Sequence, residues 1–278
     1  MSIRIALYDA NDALKSGKND YEDFTRPTAG DGDDFAYIAS QEIQYAVGDY
    51  FKITTDQPGR YVVAKLDETL SETLVYIKGT EWKFELPLAE NWTEAISDIA
   101  FKSKRHYVSV RYAKDFEILA YRNLSYNPHD LKDENGAYPH ASANVETRND
   151  ATFFACNVLD GIYANKSHGS YPYHSWGVNM EVNAELVIDF GRDVEVDAAE
   201  ITIRADFPHD SYWTDVTIEF SDGSSETFAL EKVDGPQAFS FAKHVASSLT
   251  FKKLHKADDA SPFPALTQLS IFGKNVKY

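Results

Sequence analysis

The chain has 278 residues, 44 acidic side chains against 27 basic ones, and a net charge of −17. The excess is spread over both halves, −7 on residues 1–121 and −10 on residues 122–278. Such a field repels a phosphate backbone and an anionic bilayer, so neither nucleic acid nor a membrane surface is an expected partner.

A composition of 43% hydrophobic and 26% charged residues is ordinary for a folded domain, and 14% aromatic content favours strands and stacking surfaces. The single cysteine, Cys156, leaves no internal disulfide framework or multi-cysteine zinc site and reads as a buried, inert thiol. The opening MSIRIALYDANDALKSGKND has no charged segment followed by a long apolar run, and nowhere does an apolar stretch reach the ~18 residues of a membrane span. A cytoplasmic location is therefore expected, although a chain that had lost a leader would look the same.

In chain order, IRIALYDA is a first strand, followed by a Gly- and Asp-rich stretch, KNDYEDFTRPTAGDGDD, expected to be an exposed loop. From residue 43 strand patterns recur: IQYAV, DYFKITT, RYVVAKLD, TLVYIK, WKFELPL and HYVSVRYA, separated by turn signals such as Gln57-Pro58-Gly59 and Lys78-Gly79. One short helical turn is expected between Asn91 and Ala100. This half reads as a β-sandwich over residues 1–121. The polar, aperiodic stretch NPHDLKDENGAYP (127–139) suits a boundary or a long loop opening a second domain, 122–278.

The second half repeats the rhythm with AELVIDFG (184–191), AEITIR at the head of 199–213, DVTIEF from 215 and LTQLSIFG (266–273). Val216, Ile218 and Phe220 alternate toward one core, and Ser221-Asp222-Gly223 signals a hairpin. Two loops concentrate unusual side chains. HGSYPYHSWG carries His168, Tyr171, Tyr173, His174 and Trp176; RADFPHDSYW carries Arg204, Asp206, His209, Tyr212 and Trp213. A sugar needs an aromatic platform for its C–H face and charged or amide groups for its hydroxyls, and these loops hold both kinds. The competing reading is structural: Arg204 alternates with inward-facing Ile201 and Ile203 and so faces outward or pairs with Asp206 or Asp210, and Trp213 caps the core end. The histidines lack the HxH or HExxH spacing that points to zinc. A third loop, HKADDASPFPAL (255–266), reads as solvated and stiffened by its prolines.

Residues 122–273 resemble a galactose-binding-like, discoidin-type (F5/8 type C) module, through short motifs in the family's order. They are Asn123-Leu124-Ser125, ASAN at 141–144, Asn157-Val158-Leu159-Asp160-Gly161, Leu186 to Gly191, Ile201 to Arg204, Phe220 to Gly223 and Leu269 to Gly273. The resemblance implies a jelly-roll sandwich, usually a non-catalytic binding module and often one for carbohydrate. It places Trp176 where the family's first Trp packs into the sandwich, which competes with ligand contact. It also implies a structural Ca²⁺ near the Asp-Gly loop, with Asp160, Asn165 and Gln268 as ligands. Here Asn165 stands near the usual Thr and Gln268 where an acidic residue often closes the site, and neutral amides are weaker calcium ligands than carboxylates. In the blander reading Asp160-Gly161 is only a turn.

The expected class is thus all-β, two sandwich domains, the second a jelly-roll that binds carbohydrate. Two alternatives stand beside it. A sandwich-fold glycoside hydrolase or polysaccharide lyase needs a carboxylate pair, for which Asp206 and Asp210 are candidates. An interaction module would use the same loops to grip a partner protein or form a homo-oligomer.

Overall fold

Residues 2–276, except His168, Pro208 and His209, are described by the computed structural model. The chain divides into two compact units: one runs to Glu117 and includes Asn135–Ala137, the other comprises Ile118–Glu134 and the chain from Tyr138 onward.

In the first unit, period-two alternation produces strands almost wherever it occurs. One antiparallel sheet runs Ala29–Gly32, Ile3–Tyr8, Tyr50–Thr55, Glu81–Glu85, and another contains Thr73–Ile77, Arg60–Lys65, His106–Tyr112 and Phe35–Ser40 in that order. Ile5, Leu7, Phe51, Ile53, Val62, Ala64, Trp82, Phe84, Val108 and Val110 supply the shared core, all buried. Removing each large apolar side chain from water contributes roughly 1.5–3 kcal/mol, which favours this register over a one-residue slip.

Two expectations are corrected here. IQYAV is not a strand: Ile43 and Tyr45 are buried, but Ile43 N–H donates to the Lys104 carbonyl (3.2 Å) and Tyr45 stacks on His106. Burial of alternate residues is satisfied there without a neighbouring strand. Conversely, the Gly- and Asp-rich stretch contains the strand Ala29–Gly32. A Cβ on Gly30 would lie 2.0 Å from the Tyr37 carbonyl oxygen, so glycine permits a backbone approach that looks like a loop signature in sequence. The helical turn appears as the 3₁₀ turn Glu90–Trp92.

The second unit is built on two long, bent strands. AELVIDFG and AEITIR fuse into one strand, Leu186–Arg204, which pairs with Gln237–Lys256 along both arms. Register breaks between Asp189 and Val194, and again between Val196 and Ala198, mark its bend. The first arm pairs with His140–Ala143 and the second with Ala265–Asn275. Trp213–Phe220 and Ser225–Ala229 form the predicted hairpin at the other side of Gln237–Lys256. Gly223 turns it at φ 87° and Gly223 N–H donates to the Phe220 carbonyl (2.9 Å). The bends wrap these strands around one core of Leu186, Ile188, Phe190, Ile201, Ile203, Val216, Ile218, Phe251 and Ile271, a β-sandwich.

The family-like motifs do structural work. Asn123 Oδ1 accepts from Ser125 N–H (3.0 Å), and the single Ser125 Oγ–H lies between Asn123 Oδ1 (2.8 Å) and the Leu269 carbonyl (2.7 Å) while Ser125 Oγ accepts from Ile271 N–H (3.0 Å), so the opening segment is tied to the last strand. Cys156 is buried, and burial raises its thiol well above the ordinary value, as befits an inert core residue.

Candidate functional site

Strand register brings the aromatic loops to one end of the second unit. Arg204 ends its strand opposite Ala265, and Ala265 is also the partner of Gly177. The loops around 160–176, after 204 and before 265 therefore share a pole.

Arg204 is the centre of that pole and is fully buried. Its Nε donates to Asp206 Oδ1 (3.0 Å), Nη1 to the Tyr173 carbonyl (2.7 Å), and Nη2 to Asp206 Oδ2 (3.2 Å) and to the Ser167 carbonyl. Asp206 Oδ2 also accepts from Lys166 N–H (2.6 Å). The planar fork suits this task, since a guanidinium presents several donors in fixed directions. Asn165 reinforces the same junction, donating to the carbonyls of Ile203 (3.2 Å) and Asp234 (2.8 Å) and accepting from Thr267 Oγ–H (2.8 Å).

A second chain of contacts leads outward. Gln268 Nε2 donates to Asp160 Oδ1 (2.7 Å), Asp160 Oδ2 pairs with His174 Nε2, and the His174 ring stacks on Tyr171 with centroids 5.8 Å apart and planes 12° from parallel. Tyr171, 40% exposed, is the outward end of this series. Its ring is backed by the buried His174, whose Nε2 pairs with the half-buried Asp160.

The predicted ligand residues divide. Tyr171 is exposed, Tyr173 and Tyr212 are half-buried, and Asp206 is half-buried beneath Arg204. His174 is buried and supports Tyr171 rather than facing solvent. Trp176 and Trp213 are corrected to core residues: both are fully buried against Phe251, and Trp176 Nε1–H donates to the Val145 carbonyl (2.9 Å). Arg204 is corrected from an outward-facing ligand contact to a buried clamp. His168 and His209 lie outside the described residues. Asp206, one member of the carboxylate pair considered for hydrolysis, has both oxygens bound by Arg204.

The three residues expected to hold calcium are engaged in hydrogen bonds with one another and with the backbone. Gln268 turns its amide nitrogen toward Asp160 and its oxygen to Gly161 N–H (2.9 Å), while Asn165 aims its amide at two carbonyls. N–H donors, not oxygens, surround the Asp160 carboxylate, with Ile162 N–H (2.8 Å) among them.

Two surface features went unselected in the sequence. Phe207, in the RADFPHDSYW loop, is 82% exposed. Residue type alone does not separate such a phenylalanine from a core one, although its place between Asp206 and Pro208 is a signal. A cleft of about 180 Å³ lies beside Gly177 and Ala265, lined by Thr147, Arg148, Phe153, Asn179 and Phe263. The Arg148 guanidinium sits 5.3 Å from the centre of the Phe153 ring, and a Cβ on Gly169 of the Tyr171 loop would come within 3.8 Å of the same ring.

No family model and no curated protein sequence matches the chain. Among solved structures it is similar to chitosan-binding module 1 derived from a chitosanase/glucanase of Paenibacillus sp. IK-5, at 18% identity over 54% of this chain and 98% of that one, with a TM-score of 0.38. It is also similar to the family 32 CBM of NanJ from C. perfringens, in complex with galactose (16% identity, 48% and 91% of the two chains, TM-score 0.37). A third is the lectin domain of lectinolysin complexed with Lewis B antigen (15%, 55% and 96%, TM-score 0.40). These neighbours are carbohydrate-binding modules, alike to about half of this chain at low identity.

Proposed function

We propose that the second unit binds a neutral saccharide at the pole organised by Arg204, with Tyr171 as the stacking platform. The observation that carries this reading is the series Gln268–Asp160–His174–Tyr171, in which an exposed aromatic ring rests on side chains linked by hydrogen bonds. A pyranose presents an apolar C–H face to such a ring, and a platform ordered before binding costs little entropy when the sugar arrives. The neighbouring cleft adds the Phe263 ring and polar groups, Arg148 and Asn179, of the kinds that engage hydroxyls. Clamping of the loop backbones by Arg204 keeps these parts in register.

Isothermal titration against mono- and oligosaccharides tests the proposal. Binding of at least one neutral sugar is expected, with Tyr171→Ala weakening it about tenfold or more, since aromatic contacts contribute ~0.5–1.5 kcal/mol beyond the area they bury. A folded protein that binds no neutral sugar, or a Tyr171→Ala variant of unchanged affinity, would overturn it.

A further inference from the structure

The first unit contains a cluster that neither the sheets nor the saccharide reading explains. Asp67 lies just beyond Arg60–Lys65, Glu68 follows it, and His106 opens His106–Tyr112. One ligand atom from each, two carboxylate oxygens and an imidazole nitrogen, lies within 4.8 Å of the others. Asp67 and His106 are buried, and Glu68 is exposed at the rim.

What sets this apart from a solvated acidic patch is the state of His106. Its ring is packed 3.9 Å from Tyr45, and Nε2 meets the Ser103 carbonyl at 3.3 Å, which directs the N–H to that side. Nδ1 is thereby left with its lone pair, is buried, and has no hydrogen-bond partner. The nearest Glu68 oxygen is 3.9 Å away. A buried acceptor turned toward two carboxylates is an unsatisfied arrangement that a cation standing between them relieves. The Tyr45 hydroxyl is also buried without a partner.

The carboxylates are oriented as metal ligands are, by outer donors. Asp67 Oδ1 accepts from Thr69 N–H (2.8 Å) and Oγ–H (2.6 Å), Asp67 Oδ2 from Phe101 N–H (2.8 Å), and Glu68 Oε1 from Tyr107 N–H (2.6 Å). Asp67 Oδ2 and Glu68 Oε1 each keep a further lone pair. The histidine has the matching outer contact in the Ser103 carbonyl, which fixes its tautomer.

We propose that Asp67, Glu68 and His106 form a binding site for a zinc-class divalent cation, with a remaining coordination position open to water. One imidazole nitrogen with two carboxylates is a donor set that zinc accepts, at ~2.0–2.2 Å per ligand, so ligand atoms close to ~3.4 Å of one another around a tetrahedral ion. The ligand atoms, already within 4.8 Å of one another, need only a short closing movement, in which the exposed Glu68 can take part. A bound ion joins the segment after Arg60–Lys65 to the start of His106–Tyr112 and so stabilises the first unit.

The test uses the full chain, stripped with chelator and titrated with Zn²⁺ by calorimetry, alongside Glu68→Gln and His106→Gln. Zinc is expected to bind and to raise the unfolding temperature, with each variant weakening affinity at least tenfold. Glu68 is exposed, so Glu68→Gln remains a valid test even where His106→Gln fails to fold. Anomalous scattering from a zinc-soaked crystal is expected to place the ion between Asp67 and His106. Absence of zinc binding, undiminished affinity in Glu68→Gln, or an ion found only elsewhere overturns the proposal.

Discussion

Arg204 shows how one buried side chain organises the loops of a whole pole. The sequence identifies it as a notable residue, because arginine beside aromatic and acidic neighbours is a common recognition group. Strict alternation from Ile201 and Ile203 turns it outward. Both faces of the strand end are covered instead: all four residues from Ile201 to Arg204 are buried, and Arg204 is enclosed with the loop whose Ser167 and Tyr173 carbonyls it binds. Replacing Arg204 with Ala leaves Asp206 without its partner and strips donors from two loop carbonyls. The expected loss is about 3–5 kcal/mol, the range for breaking a buried ion pair, read as a lower urea midpoint at unchanged m-value. Arg204→Lys is expected to recover only part of it, because one ammonium cannot replicate the fork. A variant within about 0.5 kcal/mol of wild type would show that the clamp is dispensable.

At the level of elements, strands with one buried face were legible because alternation is a local property. Trp213–Phe220 and its hairpin partner follow the pattern, although Thr217 is buried too, its hydroxyl 3.0 Å from that of Thr227. Gln237–Lys256 was not legible. Its first arm is only half-buried, with Phe239 and Phe241 packed at the core edge, and further on Val245 is exposed while Ala246 is buried, so polarity does not follow the buried face along its length. The bend of Leu186–Arg204 was hidden as well, although its means is visible as Gly191. This glycine has φ 70°, its N–H donates to Asp189 Oδ1 (2.7 Å), and a Cβ there would lie 2.5 Å from Tyr138 Cγ. Gly191→Ala is therefore expected to cost about 2 kcal/mol or more, from backbone strain and overpacking together. Denaturant unfolding with retained far-ultraviolet dichroism checks it, and a neutral outcome would mean that Tyr138 and the bend yield freely.

On the scale of the whole molecule, the net charge of −17 is a constraint on what the protein recruits. A sulfated or phosphorylated glycan meets a repulsive field that salt screens over about 10 Å at 0.1 M, whereas a neutral sugar is indifferent to it. Titrations at low and high salt are expected to give neutral-sugar affinities within about twofold of each other, and no sulfated-glycan binding at low salt. Tight, salt-sensitive binding of a sulfated glycan would contradict the neutral preference. The sequence by itself determined the acidity, the all-β character and the loops in which aromatic and polar groups gather, because composition and period-two patterning are carried by neighbours along the chain. Only the tertiary structure decided that Trp176, Trp213 and Arg204 lie inside, that Tyr171 lies outside on His174, and that Asp67, Glu68 and His106 meet. Which side chain faces solvent depends on bulges, on the pole where distant loops converge, and on partners far away in the sequence, none of which a local pattern records.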